Sequence, residues 1–461
     1  MGGTSPEVDS TQLVERRRDL VLRFCDLPGR GSALALQHAL AAEIRAAEAG
    51  SASVASRTWA RHKHLVRIIG DSLAFSLIHE HTIRTLGRHP GSAAGIMGQG
   101  DDFSFVMDVA EMLANSGYVP VLCDLTNLLR VGDIVAVAAD HVLVLECKRS
   151  KLPRRLTNSG RLARQRARGT RAAEYLHESR AIETDGAERQ ALSLNLPDPH
   201  WPVLTNLAEQ LSSDSGGSDL VFLGDGDAVM LITEVSDLES VFTRLDNEFT
   251  GKKPTVGQSS DIIRDPRWNC PSPLLYPVQP WLRHDLLEGE ATVIRVVDID
   301  HFTVTRNTPS GRLAEMQARS TEDGAILSVL VEGEQRSFGP GILDRVFYTP
   351  TPLVEMREAL LACIDSLLTV TIADESTLSQ PGASEALSDE ASGVNTIGAP
   401  TVRLANGDDV TYGTVYLMPD GNDPIVVYEV PTDGEHLLHF AWDPSRKKVV
   451  GGYINGVMVK L

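Results

Sequence analysis

Val131 to Lys148, VGDIVAVAADHVLVLECK, decides how the rest of the chain is read. Val131 to Ala138 is apolar and β-branched apart from Gly132 and Asp133, and Val142 to Lys148 is apolar until Glu146. Ala139-Asp140 between them predicts a tight turn, so the stretch reads as an antiparallel hairpin. Alternation along the second strand sets Glu146 and Lys148 on one face and Cys147 on the other. A two-residue turn pairs Ala138 with His141, and counting outward brings Asp133 opposite Glu146; a four-residue turn keeps the same register. Directly opposed residues have Cβ atoms about 4.5–5.5 Å apart. Two carboxylates that close on an apolar hairpin repel each other and are costly to bury. A divalent cation between them removes the conflict, with Lys148 alongside.

Composition sets wide limits around this hairpin. A chain of 461 residues accommodates two to four domains. Its 42% hydrophobic and 23% charged content is that of an ordinary soluble protein, and no apolar run approaches the ~20 residues of a membrane span. The N-terminal MGGTSPEVDSTQ has neither a basic start nor an apolar core, which argues against a secretory signal. Cys25, Cys123, Cys147, Cys270 and Cys363 are scattered without a C-x-x-C pair, so a reducing, cytoplasmic setting is expected.

The net charge of −19 speaks against a polyanion binding the molecule at large. The local sign differs, because Lys148 to Arg171 contains Arg149, Lys151, Arg154, Arg155, Arg161, Arg164, Arg166, Arg168 and Arg171 and no acid. This run starts at the lysine of the hairpin.

Upstream, Ser32 to Ala49 predicts a helix with Ser32 as its cap, and Ser56 to Leu86 a helix broken near Gly70. His79 and His81 point in different directions on a helix, which argues against a metal role there. Asp101 to Ser116 is amphipathic through Val106, Val109, Ala110 and Leu113, and Gly117 ends it before a strand at Tyr118 to Asp124.

Downstream, Gly160 to Ser179 reads as helix, and Trp201 to Leu211 as another. Leu220 to Leu223 and Ala228 to Val235 form a hairpin around Gly224-Asp-Gly-Asp227, expected to supply the last strand of the hairpin's own sheet. Asp237 to Phe249 is helical, and Asp298-Ile-Asp300 lies in a strand region with both carboxylates on one face. Asp374 to Asn395 has linker composition. Five strands follow, the last two joined by Asn455-Gly456.

Gly132-Asp133-Ile134 followed by Glu146-Cys147-Lys148 resembles the PD-(D/E)xK nuclease superfamily, over roughly Gly100 to Glu234. The resemblance implies an α/β fold with a restriction-endonuclease-like α-β-β-β-α-β core. The expected division is a helical N-terminal region (1–99), the core (100–249), a mixed α+β region (250–373), a flexible linker (374–397) and a small all-β module (398–461). It further implies Asp133 and Glu146 as ligands of Mg²⁺, with Mn²⁺ able to substitute, the Cys147 carbonyl completing the set, and Lys148 orienting the attacking water. Gln165 on the following helix would face the site, as in many relatives. Relatives often carry a glutamate on the preceding helix; counting back from Gly117-Tyr118 lands on Val106, and Asp102 one turn earlier reads either as that third ligand or as a helix cap.

The expected activity is phosphodiester hydrolysis of DNA in defence or repair, with Arg149, Lys151, Arg154, Arg155, Arg161, Arg164 and Arg168 holding the nucleic-acid backbone. A catalytically silent nucleic-acid-binding protein is the first alternative. An interaction protein that docks a partner through its C-terminal β module is the second.

Overall fold

The structure is a computed structural model. It describes residues 10–27, 29–51, 56–87, 96, 101–138, 141–147, 180–182, 188–190, 199–213, 217–234, 238–252, 254–266, 270–321, 324–338, 340–364, 401–403, 409–420, 423–431, 437–443, 448–454 and 457–460. The fold is mixed α/β.

Four helices open the chain, α1 (Ser10–Cys25), α2 (Arg30–Gly50), α3 (Ser56–Leu77) and α4 (Glu80–Gly87). Gly29 stands at the N-cap of α2 without a side-chain bond, so Ser32 lies inside the first turn and is not the cap. The predicted break near Gly70 is also absent: α3 runs through it, and the chain breaks after Leu77. Gly70 is there for proximity, since a Cβ at that position would overlap the Leu125 carbonyl oxygen.

Helix α5 (Asp101–Asn115) leads through Gly117, at φ +99°, into β1 (Val119–Leu122), β2 (Ile134–Val137) and β3 (His141–Cys147). These strands are antiparallel in the order β1-β2-β3. Strand alternation sorts their side chains between two cores. Leu122, Ile134, Ala136, Leu143, Leu145 and Cys147 pack with α1, α2, α3 and α5, through residues such as Leu36, Ile69, Phe103 and Val106. Val121, Val135, Val137, Val142 and Val144 face Phe75, Ile78, Ile83 and Leu86 together with Leu128, Leu129 and Val131 of the β1–β2 connection. Covered on both faces, the strands read as continuous apolar runs, and each fully buried Ile or Val contributes about 1.5–3 kcal/mol.

A short ladder pairs β4 (Arg180–Ile182) with β5 (Glu188–Gln190). Beyond it come α6 (Pro202–Ser213), β6 (Ser218–Gly224), β7 (Asp227–Ile232), α7 (Leu238–Glu248), β8 (Pro254–Gln258), α8 (Ser259–Arg264), α9 (Pro280–Glu288) and β9 (Thr292–Asp298). The predicted hairpin forms as β6–β7, but its partner is β9, in a four-stranded sheet ordered β6-β7-β9-β8. It therefore does not supply the last strand beside β3. A second four-stranded sheet, β10 (Val304–Asn307), β11 (Leu313–Thr321), β12 (Gly324–Val331) and β13 (Glu334–Phe338), packs against α10 (Pro340–Tyr348) and the helix over residues 353–364.

The C-terminal strands are β14 (Thr401–Arg403), β15 (Asp409–Asp420), β16 (Asp423–Pro431), β17 (Leu437–Asp443), β18 (Lys448–Ile454) and β19 (Val457–Lys460). They continue the sheet of the β2–β3 hairpin. Strand β15 runs parallel to β3 with Thr411 in register with His141 and Leu417 with Cys147. The outer edge of β3 would otherwise present unpaired N–H and C=O groups.

Candidate functional site

The β2–β3 ladder pairs Ile134 with Leu145 and Val137 with Val142, the register counted from the sequence. The ladder ends at the Ile134–Leu145 pair, and Asp133 lies one residue further out, where glycine and aspartate act together. Gly132 has φ +73°, and a Cβ there would lie 2.7 Å from both the Leu145 oxygen and Val144 Cγ1. Only glycine lets β2 approach β3 so closely in this conformation. The Asp133 amide then donates to the Leu145 carbonyl at 2.7 Å, and its Oδ2 accepts the Cys147 amide at 2.6 Å. Asp133 thus bonds to residues 145 and 147 and brackets the backbone of Glu146. Its own carbonyl accepts the Cys123 amide at 2.9 Å, which ties the end of β1 to the same point. The Asp133 side chain is half-buried.

The connection from Cys123 to Val131 that delivers Gly132-Asp133 is held from inside. Asp71 of α3 is fully buried; its Oδ1 accepts the amides of Asn127 (2.8 Å) and Leu128 (3.0 Å), and its Oδ2 accepts Asn127 Nδ2 (2.9 Å). Burial pushes the Asp71 carboxyl up to about 7, against the pull of these donated N–H groups and of Arg130. Thr126 adds a second tie, donating to the Cys123 carbonyl at 2.8 Å and accepting the Leu129 amide at 3.1 Å. Burial lowers the pKa of Arg67 and Arg130, with Asp71 and Asp124 among the charges that oppose it.

Other candidates fall into plain structural roles. His62 is buried with Nδ1 accepting from Arg17 at 2.8 Å, so its proton sits on Nε2 and faces Glu43 at 3.1 Å. Arg17 also holds both oxygens of Glu288 at 2.5 and 2.8 Å, joining α1 to α9. The Asp298-Ile-Asp300 pair does not share a strand face: β9 ends at Asp298, whose carboxylate caps the following 3-10 turn by accepting the Asp300 amide at 3.1 Å. Asp102 is an exposed carboxylate in the first turn of α5, flanked by the buried Phe103 and Val106.

Of the residues singled out in the sequence, Asp133, Cys147 and the Glu146 backbone are brought together. The Glu146 side chain, Lys148, Gln165 and the run Arg149, Lys151, Arg154, Arg155, Arg161, Arg164 and Arg168 lie outside the described residues. Among the described residues no group of three or more His, Cys, Asp or Glu stands ready to hold a metal ion. Asp71 was missed by sequence reasoning. Its signal was a charge inside LVRIIGDSLAF, where Ile68, Ile69, Ser72 and Leu73 are all buried. No helix among the described residues is long and apolar enough to cross a membrane. No family model, curated protein or solved structure matches the chain.

Proposed function

We propose that the chain is a metal-dependent nuclease of the PD-(D/E)xK kind, with a restriction-endonuclease-like core around α5 and the β1-β2-β3 sheet. The observation that carries this reading is the bracketing of Glu146 by Asp133, through bonds to Leu145 and Cys147. The donor set fits a hard cation: the Asp133 and Glu146 carboxylates and the Cys147 carbonyl are oxygen ligands of the type Mg²⁺ takes. Asp102 is the candidate third carboxylate. Mg²⁺, when bound, supplies Lewis-acid stabilisation of the phosphate and a water of lowered pKa.

The chain's own contribution is placement. Gly132 and the Cys147 amide fix where the Asp133 carboxylate stands, so one ligand is preorganised before any cation arrives. By the same resemblance, Lys148 would orient the attacking water and Gln165 would assist it. The arginines from Arg149 to Arg168 neutralise phosphates without reading sequence, with DNA as the substrate. Purified protein incubated with plasmid and linear DNA should cleave in Mg²⁺ or Mn²⁺ and not in EDTA. Absence of cleavage in every divalent cation would remove the nuclease reading.

A second reading has one observation behind it. Asp133 Oδ2 already accepts a backbone amide, so this carboxylate is partly satisfied within the hairpin itself. A catalytically silent protein that binds nucleic acid, or a partner through its C-terminal strands, fits that fact. It predicts DNA binding indifferent to EDTA.

A further inference from the structure

The β1–β2 connection spans residues 123–133 and is closed at its neck by the Cys123 amide donating to the Asp133 carbonyl at 2.9 Å. Inside the loop, Thr126 and Arg130 tie the backbone to itself through the carbonyls of Cys123, Thr126 and Leu129. Two consecutive residues of α3 hold it from outside. Gly70 lets the helix come against the Leu125 carbonyl, and Asp71 receives the amides of Asn127 and Leu128 and the side-chain amide of Asn127. Leu128, Leu129 and Val131 are thereby buried against Phe75, Ile78, Ile83 and Leu86. The Cys123 thiol reaches the Val131 carbonyl at 3.4 Å, and the Arg130 amide donates to the Leu86 carbonyl at 3.3 Å. Every residue from 126 to 131 is therefore tied to α3, α4 or its own loop, and the next two residues are Gly132 and Asp133.

We infer that Asp71 is a positioning residue for Asp133: by clamping Asn127 and Leu128 to α3, it fixes the loop that sets the Asp133 carboxylate against the Cys147 amide. A carboxylate suits the task because one oxygen accepts two backbone amides while the other accepts the Asn127 side chain. An apolar residue in place of Asp71 would leave the amides of Asn127 and Leu128 and the Asn127 side chain without their acceptor, at about 1–3 kcal/mol for each donor left buried. Two carboxylate oxygens collecting three loop N–H bonds at the root of the candidate site set the geometry of that loop. The consequence for metal binding rests on the nuclease reading; the effect on the hairpin does not.

Hydrogen exchange on the full-length protein tests the inference, comparing wild type, Asp71→Ala, Asp71→Asn and Thr126→Val. Asp71→Ala should accelerate exchange at residues 127–134 and at Cys147 while leaving α1 and α2 at wild-type rates. Asp71→Asn keeps an oxygen for both backbone amides and should restore protection. In parallel, Asp71→Ala should raise the Mg²⁺ concentration for half-maximal cleavage, and the Mn²⁺ concentration for half-saturation, by about ten- to a hundredfold, the range seen for residues that orient metal ligands. Unchanged exchange at Asp133 and Cys147, or acceleration spread evenly over the whole chain, overturns the inference. If Asp71→Ala does not fold, Thr126→Val, which cuts the hydroxyl bonds to Cys123 and Leu129 inside the loop, is held to the same criteria. A wild type that neither binds Mn²⁺ nor cleaves DNA overturns the nuclease reading alone, because the exchange result stands without it.

Discussion

Two buried aspartates mark two different ways of building with charge. In the middle sheet, Asp227 at the start of β7 meets Arg295 of β9 through two bonds of 2.9 and 2.7 Å, with both side chains almost wholly excluded from solvent. The remaining Arg295 donors go to the carbonyls of Val346, Thr349 and Thr351, so the pair fastens the end of α10 to the sheet. In the hairpin region, Asp71 meets no cation at bonding distance among its three hydrogen bonds, and its partners are loop N–H groups. Asp227 has its charge matched inside the fold. Asp71 keeps a carboxyl that titrates near neutrality and spends its bonds on the shape of one loop. Neutralised pairs make architecture rigid; an acceptor set on backbone amides places a neighbouring residue.

The sharpest test of that contrast is at the hairpin. Asp133→Asn keeps an oxygen for the Cys147 amide and should fold like wild type, yet lose essentially all Mg²⁺-dependent cleavage. Glu146→Ala and Lys148→Ala should do the same, and double variants should lose little more, because the residues act as a unit. Full cleavage by any one of them breaks the site assignment. In the middle sheet the effect should fall on stability: Asp227→Ala leaves Arg295 buried and uncompensated, and urea unfolding should show a loss of about 3–5 kcal/mol. A loss below about 1 kcal/mol, the scale of exposed pairs, would mean that water reaches the pair.

The pH dependence of Asp71 comes next in size. Its folded-state pKa stands near 7 against 3.8 for the free group, so the raised value means stability that is full below 3.8 and lost as pH rises through about 7. Relative to Asp71→Asn, wild type should therefore weaken between these pH values, by about 4 kcal/mol at most. A flat difference in paired urea titrations would show that the group is ionised throughout. Glu43 runs the other way: the hydrogen bond from His62 lowers its pKa, with Arg16 adding to the effect, so its contribution is lost on acidification.

Two smaller effects concern the substrate and the third carboxylate. Neutralising Arg161, Arg164 and Arg168 together should weaken binding to all DNA sequences alike and flatten its salt dependence. An unchanged slope would mark the run as a solvated face. Asp102→Asn should shift Mg²⁺ affinity only if that exposed carboxylate is a ligand, since Asn serves equally near a helix start. Identical Mg²⁺ titration curves would confine Asp102 to the helix end.

Local pattern carried much of this molecule. The hairpin register followed from counting outward from the turn, because two- and four-residue turns give the same pairing. Helix α5 and the five strands from 409 onward were legible from periodicity and turn residues. Gly132 was visible as a residue but not as a reason: its role depends on how near Leu145 lies. Gly70 was misread for the same cause, since glycine in a helix looks like a break until its neighbour is known.

By itself, then, the sequence determined which residues alternate, how the β2–β3 hairpin pairs across its turn, and where charge of one sign collects. These are properties of neighbours along the chain. Only the tertiary structure decided that β6–β7 joins β9, that β15 lies along β3, and that Asp71 grips a loop more than fifty residues away. Strand edges and buried acceptors accept any partner of suitable geometry, so the choice among distant partners is settled by packing the whole chain at once.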